Sequence, residues 1–151
     1  MIRFVLLVAA LTLAACAPAQ EATQEQQSVA ITSVQAPTPS DVTTRITAEH
    51  NGQTVNVDVG RRFAIELVGV PTAGYVWEPS QMPPFITRAG EVSGNTTQAQ
   101  NQPGFTGGNH WEVTMFTATA AGTGEIVMEQ RRPWETNEPP SQTFRVTVVA
   151  H

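Results

Sequence analysis

The sequence predicts an all-β domain, an antiparallel β-sandwich of about seven or eight strands. Apolar and polar residues alternate along several short stretches, as at Val55, Val57 and Val59, and β-branched residues are common there. Such alternation is typical of strands with one buried face. Residues 42–151 contain no stretch with helical periodicity, and glycine or proline separates the alternating stretches at short intervals. These observations favour two packed sheets joined by short turns.

Alternating apolar residues define five of the predicted strands. In chain order they are Val55, Val57 and Val59; Phe63, Ile65 and Leu67; Trp111, Val113 and Met115; Ile126 and Met128; and Phe144, Val146 and Val148. Turn residues delimit two further strands, one from Tyr75 to the Pro83-Pro84 pair and one over 85–92.

The direction of these strands predicts that three loops lie at one end of the sandwich. The loops cover 69–74, 93–108 and the residues from 132 onward, and two predicted strands separate each loop from the next. Antiparallel neighbours reverse the chain at every strand, so two strands return it to the same end. We therefore expect one rim that carries all three loops.

The first residues predict an export signal followed by a lipid anchor. Arg3 precedes an almost wholly apolar run over 4–13, which is too short to span a bilayer. The stretch Leu13-Ala14-Ala15-Cys16 resembles a bacterial lipobox, with residues 1–15 removed and the Cys16 thiol acylated. We expect a protein anchored in the bacterial cell envelope, at the outer membrane or facing the periplasm. The alternative is an ordinary signal peptide that leaves Cys16 as a free thiol.

Composition bounds the rest of the chain. Residues 16–41 are rich in Gln, Ala, Thr, Pro and Ser, which predicts a flexible tether before a folded domain over 42–151. The charge and the cysteine and histidine content argue against several classes of partner and cofactor. The formal net charge of −5 does not favour nucleic acid as a partner. Cys16 is the only cysteine, so no internal disulfide can form. The three histidines lack metal-ligand spacing, and we expect a monomer without cofactor.

The first loop combines rigidity with a sharp turn. Pro71 fixes its own φ, and Gly74 permits backbone angles that other residues avoid. Thr72 and Ala73 between them are small, so the backbone there can approach another surface closely. The alternative is a plain turn between strands, for which proline and glycine are the usual residues.

The other two loops combine aromatic residues with proline or glycine. In Arg132-Pro133-Trp134, proline holds the indole in place, and Trp and Arg are the residues most enriched at binding hot spots. The alternative is that Trp134 packs on the sandwich core, as Trp77 or Trp111 could. The loop over 93–108 has Phe105 as its one large apolar residue, and its glycines allow tight bends. Its alternative reading is a mobile insertion.

These three segments, in this order, resemble the loops of the chagasin family. Members of that family are reversible protein inhibitors of papain-like cysteine peptidases. The family pattern is Asn-Pro-Thr-Thr-Gly-Tyr, then a Gly-x-x-Gly-Gly-like stretch, then Arg-Pro-Trp. The matching residues are Pro71, Thr72, Gly74 and Tyr75; Gly104, Gly107 and Gly108; and Arg132, Pro133 and Trp134. The resemblance covers about residues 42–150. Val70 and Ala73 depart from it, since the family has Asn and a second Thr there.

The resemblance implies an immunoglobulin-like sandwich that inhibits without covalent chemistry. The first loop would enter the active-site cleft, with Thr72 near the nucleophilic cysteine of the peptidase. The glycine-rich loop would lie along one side and Trp134 would pack on the other, with Arg132 adding polar contacts. The implied contact residues are Pro71, Thr72, Ala73, Gly74, Tyr75, Gly104, Phe105, Gly107, Gly108, Arg132, Pro133 and Trp134.

Two other classes of function compete with inhibition. An enzyme is disfavoured, because the chain shows no convincing pairing of nucleophile and base. A tethered binding module for a glycan or an envelope protein stays open, with Trp134 stacking on a sugar ring.

Overall fold

The computed structural model describes residues 32–151 and contains two four-stranded sheets packed face to face. The strands are β1 (Val42–Thr47), β2 (Thr54–Val57), β3 (Arg62–Gly69), β4 (Val76–Gln81), β5 (Ile86–Asn95), β6 (His110–Ala118), β7 (Gly122–Arg131) and β8 (Gln142–Ala150). Three short 3-10 turns complete the regular structure, at Ala48–His50, Pro71–Ala73 and Gln98–Asn101. None of the helical segments in this part of the chain has the length and hydropathy that a membrane crossing needs.

The sheet order confirms the predicted β-sandwich and adds two parallel pairs. One sheet has the order β1-β3-β6-β5 and the other β2-β8-β7-β4. The pairs β3–β6, β5–β6, β4–β7 and β7–β8 are antiparallel, as expected. The pairs β1–β3 and β2–β8 are parallel. Strand β1 has no counterpart in the prediction, because only Ile46 of its six residues is buried and large.

The main core fills the space between the two sheets. The rings of Phe63 and Phe116 stack at 5.6 Å between centroids, and both side chains are fully buried. Ile126 and Val146 face them from the other sheet and are equally inaccessible. With no disulfide possible, this close-packed apolar interior supplies most of the stability of the sandwich.

A second, smaller core lies on the outer face of the first sheet. Ala36, Ala64, Val113 and Met115 are buried together there. The sequence pattern had placed Ala64 on the solvent side of β3. It is inaccessible because residues 32–38, here called the N-terminal strap, lie across this face.

The strap corrects the expected extent of the tether. The backbone N–H of Val34 donates to the carbonyl of Thr96, and the Trp111 indole N–H donates to the carbonyl of Val34 at 2.7 Å. A flexible tether reaching residue 41 is therefore wrong for residues 33–38. Main-chain hydrogen bonds fix this polar segment, and its composition gave no sign of them. Cys16 and the rest of the predicted signal and tether lie outside the described residues.

Candidate functional site

Strand pairing places the three loops at one end of the sandwich, as the strand count predicted. Gly69 at the end of β3 and Asn95 at the end of β5 both pair with His110 at the start of β6. In the other sheet, Arg131 at the end of β7 pairs with Val76 at the start of β4. The first loop (70–75), second loop (96–109) and third loop (132–141) therefore share one rim. The second loop is shorter than expected, because β5 extends to Asn95.

The first loop is closed by its own backbone. Val70 and Tyr75 exchange two hydrogen bonds, at 3.1 and 3.2 Å. Inside this clasp the N–H groups of Ala73 and Gly74 donate to the carbonyls of Val70 and Pro71, both at 2.9 Å. Gly74 ends the turn in the left-handed region, with φ 83°. The clasp uses only main-chain atoms, so it forms with valine at position 70, and Pro71, Thr72 and Ala73 stand exposed at the tip.

Arg132 connects the third loop to the first. Its Nε donates to the carbonyl oxygen of Ala73 at 2.9 Å, and its Nη1 donates to Glu135 at 2.8 Å. The guanidinium carbon lies 4.5 Å from the centre of the Tyr75 ring, within cation–π range. The hydrogen bond to Glu135 raises the pKa of Arg132 further, so the guanidinium stays charged. The contact of Arg132 with a partner stays a prediction, and within the chain Arg132 locks two loops together.

Trp134 is exposed and yet held against the first loop. Its side chain is 68 % exposed, the largest value among the large hydrophobic residues described. A Cβ atom built on Gly74 would lie 2.2 Å from the indole Cη2, so the ring rests directly on the glycine backbone. The alternative that Trp134 packs in the core is wrong; Trp77 does so instead, at 6 % exposure.

The second loop has an ordered neck and an open tip. The Gln100 side chain accepts hydrogen bonds from the N–H groups of Thr96 and Thr97 and donates to the carbonyl of Asn109 at 2.8 Å. It thereby ties the two ends of the loop together. At the tip, Gly104 and Gly107 have positive φ and no atoms near a would-be Cβ.

The hydrogen bonds described in residues 32–151 join the first and third loops but do not join either to the tip of the second loop. Phe105 at that tip is 45 % exposed, and Gly108 bends beside its ring. A groove of about 340 Å³ lies beside the first loop, lined in part by Pro71, Val92 and His110. In this part of the chain the rim thus consists of the bonded first and third loops and of a second loop whose tip bonds to neither of them.

Glu112 links the two sheets below this groove. Its Oε2 accepts the backbone N–H of Trp77 at 2.7 Å, while Oε1 is buried without a hydrogen-bond partner. A Cβ at Gly69 would lie 1.7 Å from that Oε1, so only glycine leaves room for the carboxylate. Burial, the largest effect, raises the pKa of Glu112 above its ordinary value. Sequence analysis missed this pair, because Gly69 lay in a predicted loop and Glu112 in a predicted alternating strand, and neither pattern indicates that the two residues meet.

The rim offers a binding surface and little catalytic chemistry. Its exposed residues include Pro71, Thr72, Phe105 and Trp134, and within residues 32–151 no three His, Cys, Asp or Glu side chains converge to hold a metal ion. The fold and rim define a β-sandwich that presents prearranged loops to a partner.

Comparison with known proteins identifies the family. The profile of the "Chagasin family peptidase inhibitor I42" matches residues 56–148. The chain therefore belongs to the chagasin family of peptidase inhibitors and is not an enzyme. It is 32 % identical to Amoebiasin-1 of Entamoeba histolytica over 107 residues, covering 68 % of this chain and 95 % of that protein. It is 28 % identical to Chagasin of Trypanosoma cruzi over 123 residues, or 71 % of this chain and 97 % of that protein.

Solved structures agree on the fold. The crystal structure of the cysteine protease inhibitor EhICP2 from Entamoeba histolytica matches with a TM-score of 0.58 at 18 % identity, covering 72 % of this chain and 94 % of that one. The solution structure of Amebosin matches with a TM-score of 0.57 at 27 % identity, covering 72 % and 97 %. The immunoglobulin-like sandwich implied by the sequence is thus confirmed.

Replacing Gly74 by alanine is expected to displace Trp134. A side chain in the left-handed region costs about 1–2 kcal/mol of stability, and the new methyl would also overlap the indole. Gly60→Ala is the matched control, since Gly60 has φ 77° with nothing within 4 Å. We expect both variants to lose similar stability, while only Gly74→Ala shifts the Trp134 indole N–H resonance in a ¹⁵N NMR spectrum. An unmoved resonance in Gly74→Ala would show that the contact is not tight.

Glu112 is expected to make stability depend on pH. The pKa of Glu112 is raised in the folded protein. Its contribution to the free energy of unfolding is therefore complete below its ordinary pKa of 4.5 and is lost as pH rises through the higher pKa of the folded state. The free energy of unfolding of the wild type minus that of Glu112→Gln should therefore fall across this window. Urea denaturation at a series of pH values measures the difference. A difference independent of pH would mean that burial does not perturb this carboxyl.

Proposed function

We propose that the protein is a reversible, non-covalent inhibitor of papain-like cysteine peptidases that occludes the active-site cleft with its rim loops. Membership of the chagasin family supplies the class of target. The observation that carries the mechanism is Trp134, which is 68 % exposed and yet seated on Gly74 at the edge of the closed first loop. Trp is among the residues most enriched at binding hot spots, so an exposed indole held in one place favours contact with a partner.

The first loop is the element that enters the cleft in this proposal. Its tip is narrow, because Thr72 and Ala73 are small and Pro71 and Gly74 turn the chain sharply around them. The Val70–Tyr75 clasp commits the backbone groups at its base to each other. The tip is therefore presented in one conformation, and docking costs little backbone entropy.

Trp134 and the second loop flank this tip on opposite sides in the proposed complex. Arg132 fixes the distance between the tip and Trp134 by its bond to the Ala73 carbonyl. The exposed Phe105 would lie along the other wall of the cleft, together with the open backbone of Gly104 and Gly107 and with Gly108 beside the Phe105 ring. An interface of ordinary size buries roughly 800 Å² on each partner, and in this proposal all three loops contribute to it. The proposed inhibitor acts as a monomer.

We further propose that Cys16 carries the lipid anchor and holds the inhibitor in the bacterial cell envelope. The support is the signal-like start of the chain and the lipobox-like stretch before Cys16. Acylation contributes about 0.8 kcal/mol for each methylene buried in the bilayer, which is enough to retain a protein carrying several chains.

Replacing Cys16 by alanine is expected to release the protein from membranes. The thiol is the acceptor of the acyl group, so Cys16→Ala should move from the membrane fraction to the soluble fraction of the expressing bacterium. Mass spectrometry of the wild type should show an acylated Cys16 at the amino terminus. Recovery of an unacylated wild type, or of Cys16→Ala in the membrane fraction, would contradict lipid anchoring.

Truncating the exposed indole is expected to weaken inhibition. Titration of papain with the wild type should give competitive, reversible inhibition. Trp134→Ala should weaken binding by about 2 kcal/mol or more, which raises the inhibition constant roughly thirtyfold or more. The control is Met82→Ala, which removes an exposed apolar side chain (39 %) at the opposite end of β4 and should change nothing.

Each contrary outcome has its own meaning. A wild type that fails to inhibit papain-like peptidases at micromolar concentration would remove the proposed function and favour a binding module for a glycan or an envelope protein. Inhibition unaffected by Trp134→Ala, with lowered thermal stability, would give Trp134 a purely structural role.

A further inference from the structure

The N-terminal strap reaches the base of the second loop and pairs with it. Val34 donates its N–H to the carbonyl of Thr96 at 2.8 Å, and Gln98 donates its N–H to the carbonyl of Thr32 at 3.1 Å. Ser33 and Thr97 between them form an antiparallel bridge. Three consecutive strap residues thus hold the point at which the second loop leaves β5.

The strap itself is fixed to the body of the sandwich at several positions. The Trp111 indole on β6 holds the carbonyl of Val34 at 2.7 Å. Ala36 is buried in the outer core, and Thr38 donates its hydroxyl to the buried Glu66 of β3. The second loop joins β5 to β6, and Glu66 lies on β3. Through Thr38 the strap therefore connects the second loop to a third strand of the same sheet.

The second loop needs such support, because it has no core of its own. Within residues 96–109, Phe105 is the one large apolar residue, and it is half exposed. Gly104, Gly107 and Gly108 all have positive φ, and glycine loses more conformational freedom on ordering than any other residue. Gln100 closes the neck, but its side chain ties the loop only to itself.

We propose that the N-terminal strap is a positioning element of the inhibitor: it holds the second loop in the orientation in which that loop contacts the peptidase. The inference rests on the proposed function. The strap lies outside residues 56–148, which match the family profile. Residues upstream of the segment that matches the family therefore set the geometry of one of the three contact loops.

Val34→Pro tests the proposal, with Val34→Ala as its matched control. Proline removes the N–H that bonds Thr96, whereas alanine keeps it. Val34→Pro should weaken inhibition of papain about tenfold relative to Val34→Ala, the free energy of ordering roughly one residue of backbone. Amide hydrogen exchange should quicken in residues 96–108 of Val34→Pro alone, with exchange in β7 and β8 unchanged.

A second pair of variants acts on the strap from the sheet beneath it. A Cβ at Gly94 would lie 2.9 Å from Cγ and 3.2 Å from Cδ of Pro37, but an ordinary 3.5 Å from its Cβ. Gly94→Ala should therefore lift the strap and weaken inhibition, and the double variant Gly94→Ala/Pro37→Ala should recover it. Recovery by a substitution outside the loops would not follow from a general loss of stability.

The outcomes separate the two proposals. If the wild type inhibits papain and Val34→Pro equals Val34→Ala in inhibition constant, the strap does not position the loop and the proposed function stands. If the double variant fails to recover the inhibition lost in Gly94→Ala, the proposal that the strap positions the second loop is likewise wrong. If the wild type does not inhibit any papain-like peptidase, both proposals fall.

Discussion

The contact between the Trp134 indole and the backbone of Gly74 is the constraint on which the rim depends. It joins residues that are 60 positions apart in the chain, and it exists only because position 74 has no side chain. Glycine meets two requirements at once there, since the turn also needs φ 83°. Arg132 reinforces the contact from the side by binding the Ala73 carbonyl and covering the Tyr75 ring. The first and third loops therefore behave as one surface.

Each loop is fixed by a different device, and none uses a large apolar core. The first is closed by reciprocal backbone bonds, the third by the Arg132–Glu135 ion pair and the indole contact, and the second by Gln100 and the strap. Below them, Glu112 connects β6 to β4 across the opening between the sheets. Such local hydrogen bonding lets the rim stay polar and exposed while the sandwich core supplies the stability.

The sequence predicted the fold class and the positions of the loops, because both follow from local patterns. Period-two alternation marks strands, and the proline and glycine of the first loop mark a turn wherever they occur. The Arg132–Ala73 bond was not predictable in this way, since it joins residues 59 positions apart through a main-chain acceptor. The sequence pattern predicted that Val113 and Met115 are buried, which is correct. They are buried on the outer face of the first sheet, under the strap, and not between the two sheets. The strap was missed because composition reports side chains, whereas backbone hydrogen bonds hold this segment.

The strap also decides where the rest of the chain enters the domain. Thr32 lies beside Gln98, at the end of the sandwich that carries the loops. Any lipid on Cys16 would therefore restrain the molecule from the same pole that meets its target. The 15 residues between Cys16 and Thr32 reach at most roughly 55 Å when fully extended. A peptidase captured by a membrane-held copy would have to fit within that distance from the bilayer. The length of the segment between Cys16 and Thr32 would therefore select targets by their size and by their distance from the bilayer.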